Sequence, residues 1–333
     1  MQYRRLGNAG VQVSQICLGT MTFGREADEA TSFKLMDRFI ELGGNFIDTA
    51  DMYSDGLSEE IIGRWFRQRG GKKDLLLATK VYATMGKGPN DGGLSRYHIF
   101  KGVEASLRRL QIETIDLYQI HRWDPNTPVE ETLEALNDLV RQGKVRYIGC
   151  SNFAGWQLMK GLAISERNGW ERFLTLEAMY SLACRGLEYE VVPACIDQGV
   201  AVLPFSPLHG GFLTGKYRRD AAWPEGTRHD RMEPAGPWPV EPDKLYAIVD
   251  ELDAVAAAHS VTVSQAALNY LVRKPGVCSL IMGVRTVEQL EDNLEALDWD
   301  MTDAEFARLD EVSAPARPYP YDIFDPVNAE PGR

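Results

Sequence analysis

The chain has 333 residues, of which 44% are hydrophobic and 25% charged, a balance typical of globular proteins that bury a large core. Its formal net charge of −12 argues against nucleic acid or an anionic membrane as a general partner. No apolar run approaches the roughly 20 residues that cross a bilayer, and the first residues lack an apolar signal core, so we expect a cytoplasmic protein. The five cysteines are scattered and form no C-x-x-C pair, which predicts reduced thiols, no disulfides and no metal site.

Predicted strands and helices alternate along the chain, which is the pattern of a parallel α/β sheet. Residues 3–6 and 11–13 flank a Gly-Asn-Ala-Gly turn and predict an N-terminal β-hairpin. Eight strands are predicted after it, at residues 16–18, 45–48, 75–80, 115–121, 145–150, 175–179, 200–205 and 279–282. Helices are predicted at residues 29–42, 58–69, 99–110, 129–142, 156–167, 189–197, 244–257, 264–272 and 287–296.

Eight such units favour a closed barrel over an open sheet, and many of the strands are near-continuous apolar runs, as burial on both faces requires. An open sheet that binds a dinucleotide has an early G-x-G-x-x-G motif, which this sequence lacks. We therefore predict one domain over residues 1–333, an α/β fold of the (β/α)8 TIM barrel type. Residues 206–242, rich in Gly, Pro and Trp, are predicted to be a loop that covers a ligand, and residues 314–333 a coil tail.

Polar side chains end consecutive predicted strands, and the C-terminal ends of barrel strands are where active sites lie. They are Asp48 with Tyr53 in the following loop, then Lys80, His121, and the pair Ser151 and Asn152. Taken singly, an Asp before a helix is most often a cap, and an isolated Lys or Tyr is usually solvated or packed. Their joint placement favours a catalytic site.

The chemistry of these residues suits proton transfer. A free tyrosine has a pKa near ~10, which makes it a poor acid at neutral pH. We expect the Lys80 ammonium to lower the pKa of Tyr53, with Asp48 holding the ammonium in place. Tyr53 then exchanges a proton with a carbonyl or alcohol oxygen that His121 also contacts by a hydrogen bond.

Five segments carry a family resemblance: LGTMTFG at residues 18–24, FIDTADMY at 46–53, LATK at 77–80, DLYQIH at 116–121 and IGCSNF at 148–153. They are similar to the successive signatures of the aldo-keto reductases, particularly the bacterial branches and the related channel β-subunits. The similarity runs in order from residue 3 to residue 309. The resemblance implies a catalytic tetrad of Asp48, Tyr53, Lys80 and His121. It also implies a small carbonyl or alcohol substrate and NADPH or NADP⁺ as cofactor, with NADH less favoured.

The resemblance also implies how the cofactor is held. Ser151 and Asn152 match the pair that binds the nicotinamide carboxamide, and Phe205 matches the aromatic residue that stacks on the nicotinamide. Arg285, at the start of the last predicted helix, matches a site for the 2′-phosphate, because a helix N-terminus and an arginine both favour phosphate. The complete set of expected contacts is Gly19, Thr20, Met21, Asp48, Ser151, Asn152, Glu177, Phe205, Ser206, Pro207, Leu208, Gly210, Lys216, Ile281, Gly283, Arg285, Gln289, Asp292 and Asn293.

The segment GGFLTGKY at residues 210–217 nearly fits the P-loop pattern, but its last residue is a tyrosine rather than a short hydroxyl side chain. We interpret it as the start of the loop that closes over the cofactor pyrophosphate, with Lys216 as a contact. Phe23, Tyr53 and Trp123 are candidates for lining the substrate pocket. Core packing or loop anchoring explains Phe23 and Trp123 equally well.

One position departs from the family pattern. Glu177 lies where the resemblance implies a glutamine, and an ionised glutamate accepts hydrogen bonds but donates none. Its charge favours an oxidised, positively charged nicotinamide by roughly 3 kcal/mol at ~5 Å and an effective dielectric near ~20, before screening. We expect Glu177 to shift the bound redox balance towards alcohol oxidation. A protonated or averted Glu177 is equally compatible with the sequence.

Three functions are compatible with these observations. The first is a reductase that also runs in reverse as a dehydrogenase. The second is a regulatory subunit that senses the cofactor on the same barrel, and the short lead before residue 3 favours the enzyme over it. The third is an unrelated barrel enzyme, such as a sugar-phosphate isomerase, which no feature supports independently. Related proteins range from monomers to rings, so no oligomeric state is predicted.

Overall fold

The computed structural model describes residues 1–219, 221–222, 224–225 and 241–323. A two-stranded antiparallel hairpin, β1 and β2, precedes eight parallel strands that close into a barrel in chain order, with β10 pairing with β3. The predicted (β/α)8 fold and its eight strands are thus confirmed. The strands are β1 Tyr3–Arg5, β2 Gln12–Ser14, β3 Ile16–Gly19, β4 Phe46–Asp48, β5 Leu76–Val81, β6 Ile115–Ile120, β7 Val145–Ser151, β8 Phe173–Met179, β9 Ala201–Phe205 and β10 Leu280–Gly283.

The helices surround the barrel, and an apolar layer separates them from the strands. Their amphipathic sequences pack one face on the sheet, as the spacing of apolar residues predicts. The helices are α1 Glu29–Glu41, α2 Leu57–Gln68, α3 Arg96–Leu110, α4 Val129–Arg141, α5 Gly155–Asn168, α6 Val191–Gln198, α7 Pro242–His259, α8 Val263–Val272, α9 Val287–Leu294 and α10 Asp303–Val312.

The hairpin closes the N-terminal end of the barrel. Leu6 and Val13 are fully buried and pack with Phe46, Leu117 and Leu203 inside the barrel, in an apolar cluster that is separate from the outer layer. Because the floor is filled by apolar side chains, the charged groups inside the barrel, Asp48, Lys80 and Glu177, lie towards its C-terminal end. The fold therefore fixes the end at which chemistry takes place.

Helix α10 was not predicted from the sequence. It begins with a capping box, in which Thr302 accepts a hydrogen bond from the Glu305 amide at 3.3 Å and Glu305 accepts one from the Thr302 amide at 2.9 Å. Arg185, which is buried after β8, donates to the Asp310 carbonyl at 2.6 Å and ties α10 to the barrel. The Thr-x-x-Glu pattern of a capping box is a signal for a helix N-terminus, so this helix could have been predicted from the sequence.

The predicted tail lies within the described residues only as far as residue 323. Tyr189 stacks on Tyr321 with ring centroids 5.4 Å apart, and it donates a hydrogen bond to the Ala316 carbonyl at 2.6 Å. Tyr321 donates to Glu190 at 2.5 Å. These contacts hold residues 314–323 against the segment that follows β8. Residues 220, 223 and 226–240 of the predicted loop, and residues 324–333 of the tail, lie outside the described residues.

A buried acidic cluster lies on the outer side of the barrel wall, between the strands and helices α2 and α3. Glu59 is fully buried, accepts a hydrogen bond from Thr79 at 2.6 Å, and pairs with Arg109 at 2.7 Å. Asp51 is 1% exposed, and neither of its carboxylate oxygens has a hydrogen-bond partner within the described part of the chain. Burial, followed by the charge of Glu59, raises the pKa of Asp51 to about 7.

We predict that Asp51→Asn stabilises the protein at alkaline pH. A carboxyl group with a raised pKa in the folded state destabilises that state once the pH exceeds the unfolded pKa, and the full cost is reached above the folded pKa. Between about pH 4 and pH 8, the unfolding free energy of the variant should rise by up to about 4 kcal/mol relative to that of the wild type. Urea unfolding across this range measures the difference.

The matched control is Asp55→Asn, which changes an exposed carboxylate in the same turn. Its exposed side chain loses no solvent on folding, so this variant should not reproduce the gain in unfolding free energy expected for Asp51→Asn. Parallel pH profiles for Asp51→Asn and the wild type would contradict the raised pKa of Asp51.

Candidate active site

The side chain of Lys80 is the centre of the polar group at the C-terminal end of the barrel. It is fully buried, and its Nζ lies 2.5 Å from Asp48 Oδ2, 2.9 Å from the Thr49 carbonyl and 3.3 Å from the Tyr53 hydroxyl. Although burial lowers the pKa of Lys80, the carboxylates of Asp48 and Glu177 raise it well above its ordinary value. The ammonium is therefore charged throughout the physiological range.

The loop between β4 and α2 places Tyr53 against this ammonium. The Tyr53 amide donates to the Ala50 carbonyl at 3.2 Å, and a one-turn 3₁₀ segment, Tyr53–Gly56, begins there. Within it, Ser54 has a left-handed backbone with a φ of 51°. Its hydroxyl donates to the Phe23 carbonyl at 2.7 Å and so compensates this strained conformation.

The pKa of Tyr53 differs from the prediction. Burial raises it above its ordinary value by more than the Lys80 ammonium lowers it, and the carboxylates of Asp48 and Glu177 raise it further. The expectation of a lowered pKa was therefore wrong, because it counted the ammonium and neglected both burial and the second carboxylate. The phenol is protonated at neutral pH, which suits a proton donor.

His121 follows β6 and faces the Tyr53 ring edge-on, with ring centroids 6.0 Å apart. Burial, followed by the nearby charges of Lys80 and Arg122, lowers the pKa of His121 to about 3. The imidazole is neutral, so it can form a hydrogen bond without adding charge to the site. The structure thus brings all four predicted tetrad residues together.

Glu177 points into the barrel towards Lys80. It is 3% exposed, and its Oε2 lies 3.4 Å from Lys80 Nζ and accepts a hydrogen bond from Gln119 at 2.9 Å. Gln119 in turn accepts a hydrogen bond from Thr175 at 2.9 Å. Burial, followed by the charge of Asp48, raises the pKa of Glu177 to about 8. Gln119 was not predicted as a site residue, although it lies two residues before His121 and so faces the same side of the barrel wall.

The side chains expected to hold the nicotinamide lie beside Glu177. Ser151 pairs with Glu177 in the sheet register, and the Asn152 amide donates to the Glu177 carbonyl at 2.9 Å. Asn152 has a φ of 56°, and its side chain donates to the Ser151 hydroxyl at 2.9 Å and to the His121 carbonyl at 3.0 Å. Phe205 is half-buried at the end of β9.

The segment after β10 presents an unpaired cation. Within the described residues, the Arg285 guanidinium forms no hydrogen bond or ion pair, and its backbone amide donates to the Gln289 side chain at 3.0 Å. Gly283 is exposed, and a side chain at this position would meet no atom within 4 Å. There is therefore open space beside Arg285. Two other predicted cofactor contacts already interact with the protein itself. Asp292 accepts a hydrogen bond from Gln265, and Asn293 is only 6% exposed.

The remaining predicted contacts differ in how much surface they offer. Thr20 is fully buried and bonds to the Asp48 carbonyl and to Ser58. Lys216 is half-buried, with its Nζ 5.1 Å from the centroid of the Tyr217 ring. The others lie within or just after β3, β9 and β10: Gly19, Met21, Ser206, Pro207, Leu208, Gly210 and Ile281.

The two aromatic candidates for the substrate pocket are in different environments. Phe23 is fully buried in the outer core, which favours the core-packing interpretation of this residue, and its place in the substrate pocket stays a prediction. Trp123 is half-buried two residues after His121. Its ring lies 5.3 Å from that of Phe153 and 5.5 Å from that of Trp156, which is 58% exposed.

The polar atoms of the barrel mouth fit a polar ligand. Asp48 Oδ1 and His121 Nδ1 are buried and form no hydrogen bond with the described part of the chain. Among the described residues, no cluster of His, Cys, Asp and Glu has the arrangement of a metal site, and no helix is long and apolar enough to span a membrane. The unpaired Arg285 guanidinium is suited to bind a phosphate group.

Comparison with known proteins identifies the family. Residues 15–314 match the aldo/keto reductase family. The chain is 41% identical over 320 residues to the uncharacterized oxidoreductase YrpG of Bacillus subtilis, an alignment that covers 93% of this chain and 94% of that protein. It is 34% identical over 344 residues to a norsolorinic acid reductase of Aspergillus flavus, with 98% and 83% covered. It is 32% identical over 331 residues to an aryl-alcohol dehydrogenase of Pestalotiopsis microspora, with 96% and 82% covered. The chain therefore belongs to the aldo/keto reductase family and is an oxidoreductase of the kind that reduces carbonyl groups.

Proposed function

We propose that the protein interconverts aldehydes or ketones and alcohols with NADPH and NADP⁺, and that Tyr53 transfers the proton. The observation that carries the proposal is the contact of the Tyr53 hydroxyl with a buried ammonium, Lys80, at 3.3 Å. A phenol is a useful acid only where the phenolate left behind is stabilised, and a buried cation provides this stabilisation.

The proton moves from Tyr53 Oη to the carbonyl oxygen as the carbonyl carbon is reduced. NADPH, when bound, supplies the hydride. Lys80 stabilises the resulting phenolate, and Asp48 fixes the ammonium through the 2.5 Å contact. His121, which is neutral, can orient the carbonyl oxygen by a hydrogen bond and does not compete for the proton. In alcohol oxidation the same groups act in reverse.

Residues at three strand ends form the proposed cofactor site. Ser151 and Asn152 hold the carboxamide, Phe205 supports the nicotinamide ring, and Arg285 binds the 2′-phosphate. The unpaired guanidinium is the main support for NADPH over NADH, because an arginine next to a helix N-terminus suits a phosphate dianion. Residues 206–242 are proposed to be a loop that covers the cofactor.

An aryl aldehyde or aryl alcohol is the proposed substrate class. One relative is named as an aryl-alcohol dehydrogenase. In this chain Trp123, two residues after His121 in the sequence, forms an aromatic cluster with Trp156 and with the buried Phe153, and the two tryptophans offer its accessible rings. Such a cluster favours flat aromatic ligands by edge and face contacts. A cofactor-sensing role without turnover receives no support from relatives that are named as reductases and dehydrogenases.

Replacing Tyr53 by phenylalanine tests the proton donor. We expect Tyr53→Phe to lower kcat for carbonyl reduction by roughly 100- to 10 000-fold, the usual contribution of a general acid. The affinity for NADPH, measured by fluorescence titration, should be retained because the ring remains. Tyr3→Phe is the control, since the Tyr3 hydroxyl donates to the Gly43 carbonyl far from the mouth. Undiminished turnover by Tyr53→Phe would rule out this role.

Replacing Arg285 tests the cofactor preference. Loss of a charge-assisted hydrogen bond costs about 1.5–3 kcal/mol, so Arg285→Gln should weaken NADPH binding by about 10- to 100-fold. NADH binding should be unchanged because NADH lacks the 2′-phosphate. Arg141→Gln, at an exposed position at the end of α4, should alter neither affinity. Equal losses for NADPH and NADH in Arg285→Gln would refute specific recognition of the phosphate.

A matched pair of aldehydes tests the substrate class. The ratio of kcat/KM for benzaldehyde to that for cyclohexanecarbaldehyde should exceed one in the wild type. Trp123→Leu should reduce this ratio by about two- to tenfold, as the loss of one aromatic contact implies. Trp170→Leu, beyond the far end of α5, should leave the ratio unchanged. A ratio that is insensitive to Trp123 would remove this tryptophan from the substrate pocket.

A further inference from the structure

The buried group around Lys80 contains one cation and two carboxylates. Lys80 Nζ lies 2.5 Å from Asp48 Oδ2 and 3.4 Å from Glu177 Oε2, and the three side chains are 0%, 1% and 3% exposed. Asp48 alone neutralises the ammonium. A second ionised carboxylate leaves a net negative charge in a site that water reaches poorly, and such a charge is costly unless it is paired or protonated.

The other groups around Glu177 do not supply a second positive charge. The titratable groups that face it are Asp48 on β4, Lys80 on β5, Tyr53 in the loop after β4, and Cys17 on β3. The neighbouring strands β7 and β9 place the uncharged Ser151 and Leu203 beside it. Gln119 of β6 donates one neutral hydrogen bond. In the described part of the chain, Lys80 is therefore the cation that both carboxylates share.

The position of Glu177 also connects it to the proposed nicotinamide site. Its carbonyl accepts the Asn152 amide hydrogen at 2.9 Å, and its strand neighbour in the register is Ser151. A positive charge held by the Ser151 and Asn152 pair therefore lies next to the carboxyl group of Glu177. The oxidised nicotinamide carries such a charge, whereas the reduced nicotinamide is neutral.

We propose that Glu177 couples binding of the oxidised cofactor to the release of one proton. The carboxyl group retains its proton in the free site and beside the reduced nicotinamide. When the oxidised nicotinamide binds, the O–H bond of Glu177 breaks, the proton passes to solvent, and the carboxylate becomes the counter-charge. No electron moves in this step. The inference rests on the proposed function, because it requires that the barrel mouth binds a nicotinamide cofactor.

The sign of the pH dependence follows from this exchange. The pKa of Glu177 is raised to about 8, so below this value NADP⁺ must displace a proton and binds more weakly as the pH falls. The limiting slope for one linked proton is about tenfold in affinity per pH unit. NADPH displaces no proton from Glu177. Because both forms carry the same 2′-phosphate, its own titration cancels in the ratio of the two affinities.

The experiment measures dissociation constants of NADP⁺ and NADPH by fluorescence titration across a pH range that brackets 8. In the wild type, preference for NADP⁺ should increase several-fold per unit as the pH rises towards 8 and then level off. Calorimetry in two buffers of different ionisation enthalpy should detect proton release when NADP⁺ binds below this pH, but not when NADPH binds. Glu177→Gln should abolish both the slope and the proton release.

The matched control is Asp51→Asn. Asp51 is a buried carboxyl group whose pKa is also raised, to about 7, but it lies on the outer side of the barrel wall beside Glu59, and its carboxylate forms no ion pair with the Lys80 ammonium. This variant should retain the slope, and loss of the slope in it would overturn the assignment to Glu177. A ratio in the wild type that does not vary with pH would overturn the inference alone, because cofactor binding persists. Failure of both cofactors to bind would overturn the proposed function as well.

Discussion

The arrangement of the barrel mouth depends on the burial of one ammonium group. A lysine without solvent exposure is stable as a cation only if counter-charges and hydrogen-bond acceptors surround it. Lys80 meets this requirement with the Asp48 carboxylate and the Thr49 carbonyl from the strand before it. Since these acceptors come from the end of β4, the loop that continues from β4 is held beside the ammonium, and the hydroxyl of Tyr53 comes within 3.3 Å of it. The ion pair is thus a structural requirement of the fold at this point, and the proposed proton transfer depends on the same charge.

The apolar floor of the barrel makes this electrostatic arrangement effective. Leu6 and Val13 of the hairpin fill the N-terminal end together with inward-facing strand residues, so water cannot reach the ammonium from below. Charges in such surroundings are screened less than charges at the surface, and their mutual effects are correspondingly larger. For this reason the charge of Glu177, 3.4 Å from Lys80, raises the pKa values of both Lys80 and Tyr53. A glutamate at an exposed strand end has no comparable influence.

The sequence was sufficient to predict what depends on local pattern. Apolar runs of strand length identified all eight barrel strands, and polar residues at their ends predicted that Asp48, Tyr53, Lys80 and His121 lie together, because strand direction fixes which ends meet. The direction of the pKa shift of Tyr53 was not predictable in this way, since it depends on how much water burial removes. The burial of Phe23 and the orientation of Glu177 towards Lys80 likewise depend on tertiary packing, which residue spacing does not encode.

Two carboxyl groups with raised pKa values lie on opposite sides of the same strand wall. Asp51 lies on the outer side, where helices α2 and α3 and the charge of Glu59 surround it, whereas Glu177 lies inside the barrel. Alternation along β5 separates the two environments, because Thr79 faces outwards to Glu59 and Lys80 faces inwards. Protonation of Asp51 therefore acts on the attachment of the helices and on stability. Protonation of Glu177 acts on the charge that a ligand in the mouth encounters. By linkage both raised pKa values weaken the folded state as the pH rises, and Glu177 in addition changes the charge beside the proposed cofactor site.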